Sequence, residues 1–176
     1  KRGGGMEQEN LLVKQAQQGD VHAFAQLYEC CYRDLYRFAL YNLGQEEDAR
    51  DVVSDTVLAA FEGIGRLRSA EAFRGWIFQI LLNQCRKRRR QYMHKTEELT
   101  EELKERLPDA QMDPCESMDV RRAFQTLPEE DRMIVSLSVL GGYSSGEIGA
   151  LLHRNANTVR SRLSRSMRRM QVLLEG

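Results

Sequence analysis

The chain has 176 residues, and its 26 lysines and arginines balance 26 aspartates and glutamates, so the formal net charge is zero. This length allows one large or two small domains with a buried core. No apolar stretch approaches the roughly 18–20 residues of a membrane span, and no signal peptide is visible at the start. These features predict a soluble, cytoplasmic protein.

The sequence lacks the patterns that are typical of an active site or a bound cofactor. Its four cysteines include no C-x-x-C pair, and no histidine lies at zinc-finger spacing from them. The three histidines are scattered, with no Ser or Cys nucleophile motif nearby. Glycine-rich phosphate-binding loops are also absent. We therefore expect a protein that is not an enzyme and that binds no metal, cofactor or small-molecule substrate.

Apolar residues recur with helical spacing almost throughout the chain, whereas the alternating pattern typical of strands is nearly absent. This predicts an all-α fold of two small helical domains joined by an acidic linker. The predicted helices cover residues 7–18, 20–41, 45–63, 70–91, 117–126, 128–140, 144–152 and 155–174. The predicted domains are residues 6–92 and 117–176, with the linker at 93–116.

The neutral total conceals three segments of different charge. Residues 1–94 have 14 basic and 12 acidic residues, residues 95–119 have 3 and 9, and residues 120–176 have 9 and 5. The central segment is acidic and contains two prolines. This composition is typical of a linker, with at most one partial helix around Leu99, Leu103 and Leu107.

The first candidate interface is the acidic face of the predicted helix 45–63. On a projection of about 100° per residue, its apolar side chains share one arc: Val53, Val57, Ala60, Phe61 and Ile64. Its acidic side chains fall on the opposite arc: Asp48, Asp51, Asp55 and Glu62. Such a stripe is most often plain solvent-facing surface, and docking of another protein is the alternative.

The second candidate interface is the predicted helix 70–91 with the loop before it, "EGIGRLRSAEAFRGWIFQILLNQCRKRRR". Bases stack on aromatic rings and phosphates bind basic side chains, so this combination suits a single-stranded nucleic acid. The basic residues Arg86 to Arg90 repel one another unless an anion lies nearby. Arg66 and Arg68 in the loop could hold a base turned out of a duplex. The alternatives are a core helix with a solvated basic end and an ordinary surface loop.

A helix-turn-helix is predicted in the second domain. Ser144 and Glu147 have the S-x-x-E spacing of a capping box at the start of a short helix. Asn155 is placed to cap the next helix, which leaves His153 and Arg154 as the connecting turn. In this motif the second helix enters the major groove of DNA, with its first turns against the base edges.

The second helix of this motif has two distinct faces. Its predicted buried arc contains Val159, Leu163, Met167, Met170 and Leu174. Polar and basic residues gather on the other side or its flank: Thr158, Arg160, Ser161, Arg162, Arg165, Arg168 and Arg169. Because the basic charge is concentrated on one surface, DNA binding is favoured over a merely solvated helix. Gly146 and Gly149 are expected to weaken the first helix by roughly 1 kcal/mol each relative to alanine.

Together these segments resemble a bacterial RNA polymerase sigma factor of the extracytoplasmic-function group in the sigma-70 superfamily, over about Leu11 to Leu174. "DARDVVSDTVLAAF" is similar to the family's polymerase-docking helix and "FRGWIFQILLNQCRKRRR" to its promoter-melting helix. "LPEEDRMIVSLSVLGGYSSGEIGALLHRNANTVRSRLSRSMRRM" is similar to its −35-reading domain. The resemblance implies a factor that directs core RNA polymerase to promoter DNA and assists promoter opening. It also implies a further partner, a membrane-linked anti-sigma factor.

The resemblance implies roles for individual residues. Contacts with polymerase are implied for Asp48, Asp51, Val52 and Asp55. Contacts with −10 DNA are implied for Arg66, Arg68, Phe73, Trp76, Asn83, Arg86 and Arg89. Contacts with −35 DNA are implied for Asn157, Thr158, Arg160, Ser161, Ser164, Arg165, Arg168 and Arg169. The acidic linker would lie in the RNA exit path of the polymerase.

Four positions depart from the family pattern. Ser54 stands where the family usually has Gln, His153 where a turn glycine is common, Arg154 where an apolar residue packs and Asn157 where a small residue is usual. The first change bears on a polymerase contact, and the others on the promoter sequence. The alternative function is a helix-turn-helix regulator that binds DNA without joining polymerase. That function would leave the acidic stripe and the aromatic basic helix unexplained.

Overall fold

A computed structural model of the protein describes residues 3–97 and 118–175, with side chains described for residues 7–92 and 119–175. These ranges contain eight α-helices: α1 (Gly3–Gln17), α2 (Val21–Leu43), α3 (Glu46–Gly63), α4 (Phe73–Glu97), α5 (Met118–Gln125), α6 (Glu129–Val139), α7 (Ser145–Leu152) and α8 (Ala156–Glu175). Two 3₁₀ turns connect α3 to α4 at Ile64–Arg66 and Ala70–Ala72. No strand occurs in the described ranges, and the all-α prediction is confirmed. The partial helix predicted around Leu99, Leu103 and Leu107 lies outside them.

Helices α1 to α4 form the first helical group. Asp20 caps α2 by accepting hydrogen bonds from the backbone N–H groups of His22 and Ala23, at 2.9 and 3.1 Å. Gly44, with a φ of 79°, ends α2 in the left-handed conformation that glycine adopts without strain. Helix α3 begins two residues later, so α2 and α3 form a tight antiparallel pair. Helix α4, which contains the aromatic and basic residues, packs along α3.

Helices α5 to α8 form the second helical group, and its helix-turn-helix has the predicted caps. Ser144 Oγ accepts from the backbone N–H of Glu147 at 3.3 Å, and Glu147 Oε2 accepts from the backbone N–H of Ser144 at 2.7 Å. Asn155 Oδ1 accepts from the backbone N–H of Asn157 at 2.8 Å. His153 ends α7 with a φ of 54°. The motif therefore closes at the position where a glycine is common, with a histidine in the left-handed region.

The two helical groups pack directly against each other. Buried side chains of both belong to one hydrophobic cluster, which runs from Val13 to Val159. Between α2 and α6, Asn42 Nδ2 donates to Ser136 Oγ at 3.2 Å, and both residues are buried. This contact could not be predicted from the sequence, because helical periodicity indicates the apolar face of each group but not which faces pack together.

Replacing each of the two glycines of α7 by alanine should change the stability of the protein in opposite directions. A Cβ at Gly149 would lie 2.5 Å from the Arg154 carbonyl oxygen, whereas a Cβ at Gly146 would meet nothing nearer than Ser144 Oγ at 3.9 Å. Gly146→Ala should therefore raise the free energy of unfolding by about 0.5–1 kcal/mol. Gly149→Ala should lower it by about 1–3 kcal/mol, because the turn must shift. Thermal melts of both variants measure these opposite changes in stability.

The close contact at Gly149 argues against the expected gain in stability from alanine at this position. The absence of a side chain lets the turn approach α7, and Arg154 N donates to the Gly149 carbonyl at 2.8 Å. If Gly149→Ala stabilised the protein as much as Gly146→Ala, the close contact would be contradicted.

Candidate protein-docking and nucleic-acid interfaces

The acidic face of α3 is smaller than the sequence pattern indicated. Asp51 and Asp55 are exposed, as predicted. Asp48 is only 5% exposed, so its place on a solvent-facing stripe is corrected. Val52 is 2% exposed and lies in the core, so its side chain cannot contact a partner, and that prediction is wrong. The surface that remains for docking centres on Asp51 and Asp55.

Asp48 is buried because α4 supplies partners for its charge. The Tyr92 hydroxyl donates to Asp48 Oδ2 at 2.7 Å, and Arg88 Nε lies 3.1 Å from Asp48 Oδ1. The hydrogen bond to this carboxylate raises the pKa of Tyr92 to about 12. Arg88 also pairs with Asp51. This network fixes α3 against α4. It also places the acidic surface of α3 beside the basic residues Arg86 to Arg90 of α4.

The aromatic residues at the start of α4 differ in exposure. Trp76 is half-buried, and its ring edge covers Gly63, where a Cβ would lie 3.1 Å from Trp76 Cζ2. Phe73 is 2% exposed and packs in the core, so the prediction that it contacts DNA is corrected. The spacing of the aromatic residues could not separate these two, because both fall near the same helical face.

Further along α4, the predicted DNA contacts remain partly accessible. Asn83 is exposed and Arg86 is half-buried. Arg89 Nη1 lies 3.5 Å from Glu129 Oε1, at the start of α6. One predicted contact for DNA is thus paired with an acidic residue of the second helical group.

The loop between α3 and α4 presents Arg66 and Arg68 to solvent, as predicted. Gln17 Nε2 holds this loop by donating to the carbonyl oxygens of Ile64 and Leu67, at 3.2 and 2.7 Å. The loop borders a cleft of about 1510 Å³. Its lining includes Arg66, Arg68, Ser69 and Trp76 from the first helical group and Tyr143, Glu147 and Leu151 from the second. Residues of the predicted −10 surface and of the helix-turn-helix therefore line the same cleft.

The predicted −35 contacts of α8 share one accessible face. All eight are exposed: Asn157, Thr158, Arg160, Ser161, Ser164, Arg165, Arg168 and Arg169. Arg160 Nη1 donates to Asn157 Oδ1 at 3.0 Å, and Arg165 Nε donates to the Ser161 carbonyl at 3.3 Å. Both arginines are therefore held against their own helix within its first three turns.

Arg162 does not belong to this basic face, and its predicted position there is corrected. Its Nε donates to Asp131 Oδ1 at 2.7 Å, and its Nη1 donates to Glu130 Oε2. Arg154 Nε donates to Glu130 Oε1 at 2.5 Å. These hydrogen bonds, led by the one from Arg154, hold the pKa of Glu130 below its usual range. The start of α6 therefore anchors the recognition helix and its turn. Arg154 therefore acts in this turn through a polar contact.

The apolar arc of α8 is buried only in its first half. Val159 is fully buried, but Met167 and Leu174 are 45% and 43% exposed. The prediction that the whole arc is buried is wrong, because α8 extends beyond the helices it packs against. Met167, Met170 and Leu174 line an open groove of about 510 Å³ with Phe124 and Val139.

No group of three or more His, Cys, Asp or Glu side chains in residues 7–92 and 119–175 is arranged to hold a metal ion. None of the helices described for the chain combines the length and apolarity needed to cross a membrane.

Comparisons with known proteins agree with this arrangement. Residues 27–94 match the family model of sigma-70 region 2, and residues 117–170 match that of sigma-70 region 4. The chain is 34% identical over 157 residues to the ECF RNA polymerase sigma factor SigM of Mycobacterium tuberculosis, covering 89% of this chain and 79% of SigM. It is 29% identical to the RNA polymerase sigma factor NccH of Alcaligenes xylosoxydans xylosoxydans, covering 95% of each. Its fold is similar to that of the sigma factor RpoE of Bartonella quintana, solved in complex with the anti-sigma factor NepR. That similarity has a TM-score of 0.76 at 24% identity and covers 88% of this chain and 98% of RpoE.

Proposed function

The chain belongs to the extracytoplasmic-function group of RNA polymerase sigma factors. We propose that its three candidate interfaces bind core polymerase, −10 DNA and −35 DNA, respectively. The protein directs core RNA polymerase to specific promoters and assists promoter opening. The observation that carries the proposal is the order of an acidic helix, an aromatic basic helix and a helix-turn-helix within one chain. This order matches the two sigma-70 regions along most of its length.

The exposed part of α3 is the proposed polymerase-docking surface. Asp51 and Asp55 are both exposed and lie one helical turn apart, so a basic partner surface can approach them together. Arg88 beside Asp51 keeps the face from being uniformly negative. Co-sedimentation with core polymerase tests the proposal. A chain that binds promoter duplexes but never core polymerase would favour the alternative, a DNA-binding regulator that acts alone.

The start of α4 and the loop before it are the proposed −10 surface. Half-buried Trp76 can offer one face of its ring to a base, and exposed Arg66 and Arg68 can offer charge to phosphates. Asn83, two turns after Trp76, is exposed for a polar contact to the melted strand. Chemistry on the nucleic acid is not part of this proposal, which involves binding and strand separation only.

Trp76→Ala and Asn83→Ala should lower open-complex formation more than closed-complex binding. Base stacking on an aromatic ring contributes about 1–3 kcal/mol per base, so the Trp76 variant should lose roughly 5- to 150-fold in opening. Permanganate reactivity of −10 thymines measures opening, and retention of duplex promoter by the holoenzyme measures the closed complex.

A matched control is Gln79→Ala, because Gln79 is a partly exposed polar residue on the same helix without a proposed DNA contact. Equal losses in both assays for Trp76→Ala would indicate that the ring serves packing over Gly63 rather than promoter opening.

The exposed basic face of α8 is the proposed −35 surface. Its first turns follow the Asn155 cap and present Arg160, Ser161 and Arg165, which are placed for base edges in the major groove. Arg168 and Arg169 lie further along the helix and are placed for phosphates.

We also propose an anti-sigma factor as a partner, because the similar RpoE of Bartonella quintana was solved bound to one. Whether that inhibitor is membrane-linked is a separate part of the proposal. The protein would act in the cytoplasm, where its polymerase is. Affinity purification of the tagged chain from uninduced cells tests both parts, through the bound proteins and their membrane association.

A further inference from the structure

Two arginines of the helix-turn-helix are bound by acidic residues of a different helix. Arg154 lies in the turn before α8, and its Nε donates to Glu130 Oε1 at 2.5 Å. Arg162 lies in the second turn of α8, where its Nη1 donates to Glu130 Oε2 and its Nε donates to Asp131 Oδ1. One carboxylate of α6 therefore bridges the turn of the motif and binds an arginine on each side of it.

The other arginines of the motif differ from these two. They lie on the exposed face of α8 and have no acidic partner among the described residues: Arg160, Arg165, Arg168 and Arg169. Arg160 and Arg165 donate to neutral acceptors on their own helix, the Asn157 side chain and the Ser161 carbonyl. The arginines of the motif therefore divide into a set that is available to DNA and a pair whose charge is balanced by carboxylates.

The balanced pair lies at the edge of the proposed −35 surface. On a projection of about 100° per residue, Arg162 falls about 20° from Arg169 and about 60° from Arg165. Arg154 directly precedes the Asn155 cap of α8, and its side chain is 52% exposed. A duplex bound along α8 would therefore have phosphates near both guanidinium groups.

The acidic residues that bind the pair are held in place by the core. Glu130 and Asp131 lie in the first turn of α6, and their side chains are 27% and 17% exposed. Met133 and Ile134, which follow them, are fully buried. The hydrogen bond from Arg154 lowers the pKa of the Glu130 carboxyl, so this group is charged at neutral pH. A phosphate must therefore compete with fixed, charged carboxylates for these arginines.

This competition affects specificity, which is the difference between the affinity for matched DNA and that for all other DNA. Each phosphate that a protein neutralises adds about 0.9 to the slope of log affinity against log salt, whatever the base sequence. In a matched complex, base contacts fix α8 in the groove. On other DNA, the helix is free to shift toward additional phosphates. Two further available arginines would therefore strengthen binding to unmatched DNA more than binding to the matched element.

We propose that Glu130, together with Asp131, is a specificity-determining residue: it keeps Arg154 and Arg162 from binding DNA phosphates and so weakens binding to unmatched duplex. The inference rests on the proposed −35 function of α8. It gives two acidic residues of α6 a role in discrimination that requires no contact between them and a base.

The test uses the full chain with Glu130→Gln, which keeps the size of the side chain and one acceptor but removes its charge. Titrations at several salt concentrations give the affinity for a −35 duplex from a promoter that the holoenzyme uses and for a scrambled duplex of equal length. Adding Asp131→Asn releases Arg162 as well. The matched control is Asp119→Asn, which removes one charge at an exposed position of α5. Circular dichroism verifies the fold of each variant.

We expect Glu130→Gln to bind the scrambled duplex about threefold to tenfold more tightly at about 0.1 M salt, with a slope steeper by about 0.9, because one further phosphate is neutralised. Affinity for the matched duplex should change by less than about twofold, so discrimination falls. The variant with both substitutions should steepen the slope by about 1.8. Asp119→Asn should match the native chain on both duplexes.

A further substitution separates the release of an arginine from a loss of packing. Adding Arg154→Ala to Glu130→Gln removes the released cation, so the affinity for scrambled duplex and its slope should return to their native values. Disturbed packing would instead lower the affinity for both duplexes.

Unchanged affinity and slope of the folded Glu130→Gln chain on scrambled duplex would overturn the proposal, as would an equal gain on both duplexes. Equal binding of matched and scrambled duplexes by the native chain would instead count against the proposed −35 surface. In that case the slope on scrambled duplex would still show whether Glu130 keeps arginines from phosphates.

Discussion

Reversing the charge of Asp51 and Asp55 to lysine is expected to remove binding of the protein to core RNA polymerase while leaving α3 folded. Both side chains are exposed, and the apolar residues of α3 that pack in the core are untouched. Replacing charges that are buried on complex formation costs about 2–5 kcal/mol, or about 30-fold to several thousand-fold in affinity. Fluorescence-detected binding to purified core polymerase measures the loss.

Two controls separate docking from folding. Glu7→Lys with Glu29→Lys makes the same charge change at exposed positions of α1 and α2, and it should keep native affinity. Asp55→Lys alone leaves the pair between Asp51 and Arg88 intact, so it tests docking without disturbing the contact of α3 with α4. Circular dichroism verifies the fold of each variant. Unchanged affinity of the folded double variant for core polymerase would refute the docking surface.

The second large expected effect is a loss of DNA affinity when arginines of α8 are replaced by alanine. Arg165→Ala should cost about 1–3 kcal/mol on the matching −35 duplex and relax discrimination at one base pair, because its guanidinium is proposed to contact a base edge. Arg169→Ala should weaken all sequences alike and lower the slope of the salt dependence by about one unit, because the Arg169 guanidinium is proposed to bind a phosphate. Titrations against matched and scrambled duplexes at several salt concentrations distinguish the two.

Arg162 supplies the internal control for these titrations. Its side chain is paired with Glu130 and Asp131, so Arg162→Ala should lower the stability of the second helical group without a sequence-specific effect on DNA. If Arg165→Ala and Arg169→Ala lost affinity equally on matched and scrambled duplexes, α8 would be a basic surface without base recognition.

The features that the sequence predicted well are local ones. Ser144 and Asn155 cap their helices as expected, because a cap depends on residues within the next turn. The predicted helix bounds agree within four residues except at the end of α4, which continues to Glu97 instead of ending at 91 and so extends into the predicted linker. The family resemblance added the function, since helical periodicity alone leaves a docking face indistinguishable from a solvated one.

The features that the sequence missed depend on neighbouring helices. Asp48 lies on the acidic side of α3, yet α4 covers it with Arg88 and Tyr92. Arg162 lies on the basic side of α8, yet α6 pairs it with Asp131. A helical projection uses the sequence of one helix alone. It therefore cannot predict which of the side chains of that helix a neighbouring helix will bury. The three neighbouring acidic residues at the start of α6 were the available signal for the second case.

Transcription of genomic DNA in vitro, with sequencing of the RNA 5′ ends, tests the sigma-factor function most directly. Core polymerase alone is compared with core polymerase plus the native chain, and the Asp55→Lys variant serves as the docking control. We predict discrete new 5′ ends that appear only with the native chain and share one −35 and one −10 sequence at constant spacing. A 5′-end profile identical to that of core polymerase alone, from a chain verified as folded and present in excess, would contradict the account.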